Sequence, residues 1–339
     1  MGTRVMVTGA NGHLGHNLAT DLHERGYDVR ASVRDADDPD KTGRLRLAGV
    51  GDIVSLDVTD ADRFREAVAG VEILFHVAAT YQYWTPGPEA DAQMVRDSVE
   101  GATNAVRAAA AQGVRRLVLT SSTVTLPFAR TPEAKVDESS WRTDLRVAYF
   151  RAKTEAEQAA WALAEDLGVT MVTILPGGIL GPGFVRGTPS TDLVENIMRG
   201  AYRTGVPPTN FPAVDVRDVV RAHVLAAEAE VTGRFAVIND HSPTLAELVR
   251  TMRGIDSRVP RSWTTLPAAV MSAGPFFEAL NARLLGTKRM VNDEFVQAVK
   301  GQWWAVSNDR AARELGWRPE VTLEQSLADT MSTLRSLGV

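Results

Sequence analysis

Six short apolar runs punctuate the first half of the chain: "RVMVTG" (4–9), "DVRASVR" (28–34), "DIVSLD" (52–57), "EILFHVA" (72–78), "RRLVLTSS" (115–122) and "TMVTILP" (170–176). Helical spacing recurs between them at 13–25, 60–69, 89–112 and 147–167. Strands that are apolar nearly throughout belong to a parallel sheet buried on both faces. Right-handed crossovers then lay helices on both sides of it. The expected class is therefore α/β, a doubly wound parallel sheet of the Rossmann type.

After Pro176 the rhythm breaks. Gly and Pro cluster in "PGGILGPGF" and "RGTPSTD", and only two further strand candidates follow, at 213–215 and 234–238. Helical patterns dominate the rest, at 244–253, about 266–284, 291–300, 307–315 and 322–336. The expectation is a nucleotide-binding domain over 1–176 and a smaller, mostly helical substrate lobe over 177–339. The segment 214–229 is expected to return to the first domain as a covering helix. The 339 residues carry 44% hydrophobic and 23% charged residues, an ordinary globular balance. A net charge of −5 and no long basic run argue against a nucleic-acid surface. No apolar run approaches the ~18 residues of a membrane span. Without cysteine there are no disulfides, thiolate metal sites or Cys nucleophile, and no metal site is expected. The chain reads as cytoplasmic, a monomer or homodimer.

"VTGANGHLG" joins the first strand to the first helix. Glycines there let the backbone turn sharply and let a pyrophosphate approach bare amides. Gly9, Asn11, Gly12, His13, Leu14 and Gly15 are therefore expected to hold a dinucleotide. The second strand ends in Arg34, at the point where a cation selects the 2′-phosphate of NADP(H) and a carboxylate selects NAD(H). Lys41 follows in what reads as a loop and is expected on the same phosphate, so NADP(H) is favoured over NAD(H). Asp57 and Val58, ending the third strand, are expected at the adenine. Val77, Ala78 and Ala79, ending the fourth, are small enough for close approach to ribose and phosphate. His76 reads as a buried, hydrogen-bonded imidazole.

The catalytic candidates lie further on. Tyr149 and Lys153 are four apart on a helix and share a face. A phenol with a reference pKa near 10 needs a neighbouring cation to act as an acid at neutral pH. Carbonyl reduction needs a hydride, a proton donor and a hydrogen bond to orient the oxygen. Tyr149 as acid, Lys153 as tuner and ribose anchor, and a serine after the fifth strand supply the last two. Ser121 and Ser122 point oppositely on an extended chain; Ser122 is the candidate, with Ser121 its competitor.

With these motifs in place, the chain resembles an extended short-chain dehydrogenase/reductase, closest to the dihydroflavonol reductase/cinnamoyl-CoA reductase-like branch. The likeness runs through "VTGANGHLG", "VRASVRD", "VDESSW", "YFRAKTEAEQAAW", "VDVRDVVRAHV" and "AARELGWRP". It implies a Rossmann domain, NADP(H) held by Arg34 and Lys41, and a Ser122–Tyr149–Lys153 triad. It also implies that Pro176, Gly177, Gly178 and Ile179 lie along the nicotinamide, with amides of this segment on the carboxamide. Two departures stand out. Cinnamoyl-CoA reductases carry N-W-Y-C-Y before the catalytic lysine, whereas this chain has "RVAYFRAK", which weighs against CoA-thioester reduction. His13 replaces an apolar residue found in many relatives.

Tyr81, Trp84, Phe128 and Phe184 sit in loops around the same sheet edge and are expected to line an apolar or aromatic substrate pocket. The leading function is NADPH-dependent reduction of a ketone or aldehyde on a hydrophobic small molecule. The rivals are an alcohol dehydrogenase of the 3β-hydroxysteroid type, a sugar-nucleotide epimerase or dehydratase, and a non-catalytic NADP sensor.

Overall fold

The computed structural model describes residues 2–79, 85–289 and 292–339. Its strands are β1 (Arg4–Val7), β2 (Asp28–Val33), β3 (Asp52–Ser55), β4 (Ile73–His76), β5 (Arg116–Thr120), β6 (Met171–Pro176), β7 (Gly178–Leu180), β8 (Ala213–Asp215) and β9 (Gly233–Val237). The first-half helices are α1 (His13–Glu24), α2 (Pro39–Leu47), α3 (Ala61–Ala67), α4 (Pro88–Gln112) and α5 (Ala148–Leu167). The remainder are α6 (Pro189–Met198), α7 (Val216–Glu228), α8 (Leu245–Ile255), α9 (Gly274–Leu285), α10 (Asp293–Val299), α11 (Asp309–Glu314) and α12 (Leu323–Ser336).

Seven strands form one parallel sheet in the order β3-β2-β1-β4-β5-β6-β9. Strand residues alternate between two cores because the side-chain period is two. Val5, Val7, Ile73, Phe75 and Val118 face the layer that contains α1 and α7. Met6, Leu74, Leu117 and Leu119 face α3, α4 and α5 on the other side. Each large apolar side chain fully buried this way contributes roughly 1.5–3 kcal/mol before entropy is counted.

The chain after Pro176 divides its work. β9 completes the main sheet and α7 packs beside α1. Trp317 is fully buried in that same layer, and its indole N–H donates to the Asp218 carbonyl at 2.8 Å. A separate core joins α6, α8 and α12, alongside the parallel pair β7–β8. The segment read as one helix over 266–284 is broken. A 3₁₀ turn covers Ala268–Ala273 and α9 starts at Gly274, next to Pro275, whose ring nitrogen cannot continue the hydrogen-bond ladder.

The strand order reverses direction between β1 and β4, and open α/β sheets bind ligands at the carboxyl ends flanking such a point. The loops that leave β1, β4 and β5 therefore define where a site forms.

Candidate active site

The turn after β1 is built by close approach. Gly9 has φ +66°, and a Cβ there would lie 2.9 Å from the Ala78 Cα. A Cβ on Gly15 would lie 2.3 Å from the Gly9 carbonyl oxygen, so only glycine lets α1 stack on the turn. Gly12 starts α1 at an exposed point, and no side chain caps the helix. His13 and Leu14 turn their side chains into the protein, which leaves their backbone amides as what they can offer an anion. Asn11 is half-buried in the same turn. An uncapped helix N-terminus approached by bare glycine fits a dinucleotide pyrophosphate.

Arg34 is exposed at the end of β2 and forms no ion pair among the described residues. Its charge acts on Asp57, whose carboxyl lies below the usual range. The main causes are the amide and hydroxyl of Thr59, at 3.0 and 2.8 Å. Asp60, not Asp57, caps α3, through the Arg63 amide at 3.0 Å. Val58 is held by its carbonyl, which accepts from Asn104 of α4 at 3.1 Å. Lys41 lies in α2 rather than in a loop, and its amine pairs with Asp38 at 2.9 Å. Arg44, which sequence reasoning passed over, reaches from α2 to the Gly183 carbonyl at 3.1 Å.

At the end of β4, the amides of Val77 and Ala78 both donate to the Thr8 hydroxyl oxygen at 3.0 Å. With two donors on that oxygen, the Thr8 proton points to the His76 Nδ1 at 3.1 Å. His76 is the buried, partnered imidazole expected. Burial, and secondarily the charge of Lys153, lower its pKa to about 3. Ala79 is exposed beyond it.

Ser121 and Ser122 separate as their strand parity requires. The Ser121 hydroxyl donates to the Glu157 carboxylate at 2.7 Å, inside the protein. Ser122 is 8% exposed and caps the 3₁₀ turn Thr123–Thr125, accepting from the Val124 amide at 3.3 Å. Tyr149 is 4% exposed and packs in one cluster with Val124, Phe150, Met94, Met271 and Trp304. One turn later the Lys153 amine donates to the Thr120 carbonyl at 3.2 Å, pinning α5 to the end of β5. Burial lowers the pKa of Lys153 to about 8, while the charge of Glu157 works against that shift.

The glycine pair after β6 corrects one expectation. The Gly177 amide donates to the Val237 carbonyl at 3.2 Å and the Gly178 amide to the Pro212 carbonyl at 2.7 Å. Both are spent on the protein and neither is open to a carboxamide. A Cβ on Gly177 would lie 2.0 Å from the Pro212 oxygen, and one on Gly178 2.1 Å from the Phe211 ring, so close chain approach explains both glycines. Pro176 is buried, and Ile179 is half-buried in β7.

Of the expected substrate residues, Tyr81 and Trp84 lie outside the described residues. Phe128 is half-buried against the cluster that holds Tyr149, its ring 4.4 Å from that of Trp304 and 4.1 Å from the Arg142 guanidinium. Phe184 goes elsewhere. At 3% exposure it sits in the core of α6, α8 and α12, with its ring edge-on to His13 at 5.1 Å. The His13 Nε2–H donates to the Pro182 carbonyl at 2.9 Å, and burial lowers the imidazole pKa to about 4. His13 thus fills an interior position and links α1 to the loop after β7.

The sequence matches the NAD dependent epimerase/dehydratase family over residues 5–239. The chain belongs to that family. Cinnamoyl-CoA reductase CAD2 of Medicago truncatula is 33% identical over 270 residues, covering 75% of this chain and 81% of its own length. An anthocyanidin reductase of Vitis vinifera is 31% identical over 288 residues, covering 77% and 84%. The solved structure of gox2253 superposes with a TM-score of 0.83 at 27% identity, over 100% of this chain and 99% of that one. Within the epimerase/dehydratase family the chain is an extended short-chain dehydrogenase/reductase of the dihydroflavonol reductase/cinnamoyl-CoA reductase-like branch. It is an NAD(P)-dependent oxidoreductase acting on carbonyl or alcohol groups. Among the described residues no helix is long and apolar enough to cross a membrane.

Sequence reading missed Glu157, Arg234 and Met271. Glu157 carried one signal, an acid in the same helical register as Tyr149 and Lys153 on an otherwise Ala-rich face. Arg234 carried another, a lone charge at the head of an apolar strand.

Proposed function

We propose that this protein uses NADPH to reduce a ketone or aldehyde on a hydrophobic or aromatic small molecule. The observation that carries the reading is the Lys153–Thr120 hydrogen bond. It fastens the Tyr149–Lys153 turn of α5 to the strand end that bears Ser122. In this reading the first domain with its α7 return holds the cofactor, and the later lobe walls the substrate. A bound nicotinamide supplies the hydride. Ser122 donates a hydrogen bond that orients the carbonyl oxygen, and Tyr149 gives that oxygen its proton. Lys153 stabilises the phenolate left behind and anchors the ribose. Ser121 is an unsuitable orienter because its hydroxyl is already given to Glu157. Arg34 supports NADPH over NADH, as an exposed cation at the end of β2. The apolar residues packed around Tyr149 support a hydrophobic substrate.

The test is a fluorescence titration with NADPH and NADH side by side, after a check for retained cofactor, followed by turnover of a ketone and aldehyde panel. Tyr149→Phe should bind NADPH normally and lose turnover by about 10²–10⁴-fold. Preference for NADH, or tightly retained NAD, would move the assignment to the dehydrogenase or epimerase chemistry of the wider family. Normal NADPH binding with no turnover of any panel member would favour a sensor.

A further inference from the structure

We propose that Glu157 and Arg234 are positioning residues, a buried pair that holds the Ser121 hydroxyl inward and thereby sets Ser122 at the strand end as the carbonyl orienter. The inference rests on the reductase reading for its chemistry and on the following geometry for its substance. Glu157 is fully buried two turns beyond Tyr149 on α5. One of its oxygens accepts from Ser121 at 2.7 Å, and the other accepts from the Arg234 Nε at 2.8 Å. Arg234 rises from β9, 77 residues further on. Its Nη2 donates to the Thr125 hydroxyl at 2.8 Å, and that hydroxyl donates to the Ser122 carbonyl at 3.0 Å. Its Nη1 donates to the carbonyls of Glu138 and Ser140, at 2.8 and 3.0 Å. The guanidinium lies 3.5 Å from the centroid of the Trp141 ring.

Ser121 is therefore held through its side chain and Ser122 through its carbonyl, both by one ion pair. A carboxylate with both oxygens engaged and a guanidinium with every nitrogen engaged leave the turn little freedom to rotate. Charged pairs this deep rarely exist for stability alone, since apolar residues of the same volume serve as well. Glu157 also faces Lys153 from one turn away. The other groups acting on that amine are neutral His76 on β4 and the Thr120 carbonyl on β5. Arg234 balances the Glu157 charge from β9.

Ser121→Ala, Ser122→Ala, Glu157→Gln and the Ser121→Ala/Glu157→Gln double variant separate the possibilities, with NADPH and 4-nitrobenzaldehyde as the probe pair. Ser122→Ala should lose about 100-fold in kcat, as removal of one oxyanion donor does. Ser121→Ala should lose less than about fivefold. Glu157→Gln should lose about tenfold in kcat, with the KM for NADPH within twofold, and the double variant should be no worse, as for residues acting in one chain. Glu157→Gln should also lower the Lys153 titration by about one pH unit. That shift is read by ¹³C NMR of labelled lysine and assigned with Lys153→Met. A Ser121→Ala loss equal to that of Ser122→Ala overturns the proposal, as does a Glu157→Gln enzyme with unchanged kcat. A wild type inert toward the probe pair counts against the reductase reading alone. In that case the Ser121→Ala/Glu157→Gln cycle in urea unfolding decides: strictly additive losses overturn the proposal and non-additive ones support it.

Discussion

Lys153 answers to two demands that pull against each other. Its chemistry needs an ammonium beside the phenol of Tyr149, yet burial lowers its pKa from 10.5 to about 8. At every pH below about 8 the folded chain therefore carries a cation that the unfolded chain would hold more comfortably in water. Replacing Lys153 with Met should raise Tm at pH 7 by about 2 °C while turnover falls at least about 100-fold and NADPH binding weakens. A Tm several degrees lower with cofactor binding intact would make Lys153 a structural residue. Arg34 is the converse case, an exposed cation with no ion pair among the described residues. Arg34→Ala should weaken NADPH about tenfold and NADH less than twofold, the expected size of one charge-assisted hydrogen bond. Lys41→Ala should cost less, because Lys41 already spends its charge on Asp38. An equal loss for both cofactors in the Arg34 variant would remove its phosphate role. The Tyr–Lys spacing and the serine after the fifth strand were legible in sequence because each partner lies within its own element. The Glu157–Arg234 pair was not, because nothing local to either residue indicates that α5 and β9 meet.

At the scale of elements, what the sequence concealed is short or badly punctuated. α2 carries Pro39 and Gly43 among four charged residues, with only Leu45 as a buried apolar contact, so its periodicity is faint. α6 hides behind the Gly/Pro cluster that read as loop. Yet Thr188 and Thr191 form a capping box and Pro189 occupies the first turn, which are helix-start signals. β7 has only three residues and begins at a glycine. Its pairing with β8 depends on the bare Gly177 backbone passing Pro212. Gly177→Ala should therefore cost more than about 2 kcal/mol in urea unfolding, since the clash is with backbone and cannot be relieved by a rotamer. Gly113 ends α4 with φ +65° and open space around it. Gly113→Ala should cost only about 1 kcal/mol, the left-handed penalty alone. Equal costs would show that β7–β8 contributes little to the fold.

The molecule is built on one seven-stranded sheet with a core on each face, joined by the core of α6, α8 and α12, and its buried histidines tie these layers to pH. His76 joins β4 to β1 through Thr8. His223 of α7 meets the Thr120 hydroxyl of β5 at 2.8 Å. His13 joins α1 to the loop after β7. Burial lowers their pKa values from 6.5 to about 3, 4 and 4 respectively. The unfolded chain takes up these protons as pH falls through 6.5, whereas the folded chain refuses them until about pH 4. Stability from this source is complete above pH 6.5 and is lost progressively below it. His16 of α1 is likewise lowered to about 4 by burial and by the charge of Arg44, and four such groups give a slope of roughly 5 kcal/mol per pH unit near pH 5. Because these groups lie in several parts of the packing, no single local opening admits all the protons, and the loss should appear as one cooperative transition. Urea unfolding between pH 7 and pH 5 measures the slope directly. His223→Gln should reduce it by about one quarter, whatever that variant does to stability at pH 7. A stability that is flat over this range would mean that the imidazoles reach water in the native state, and that the layers around them are looser than the packing of His76 and His223 implies.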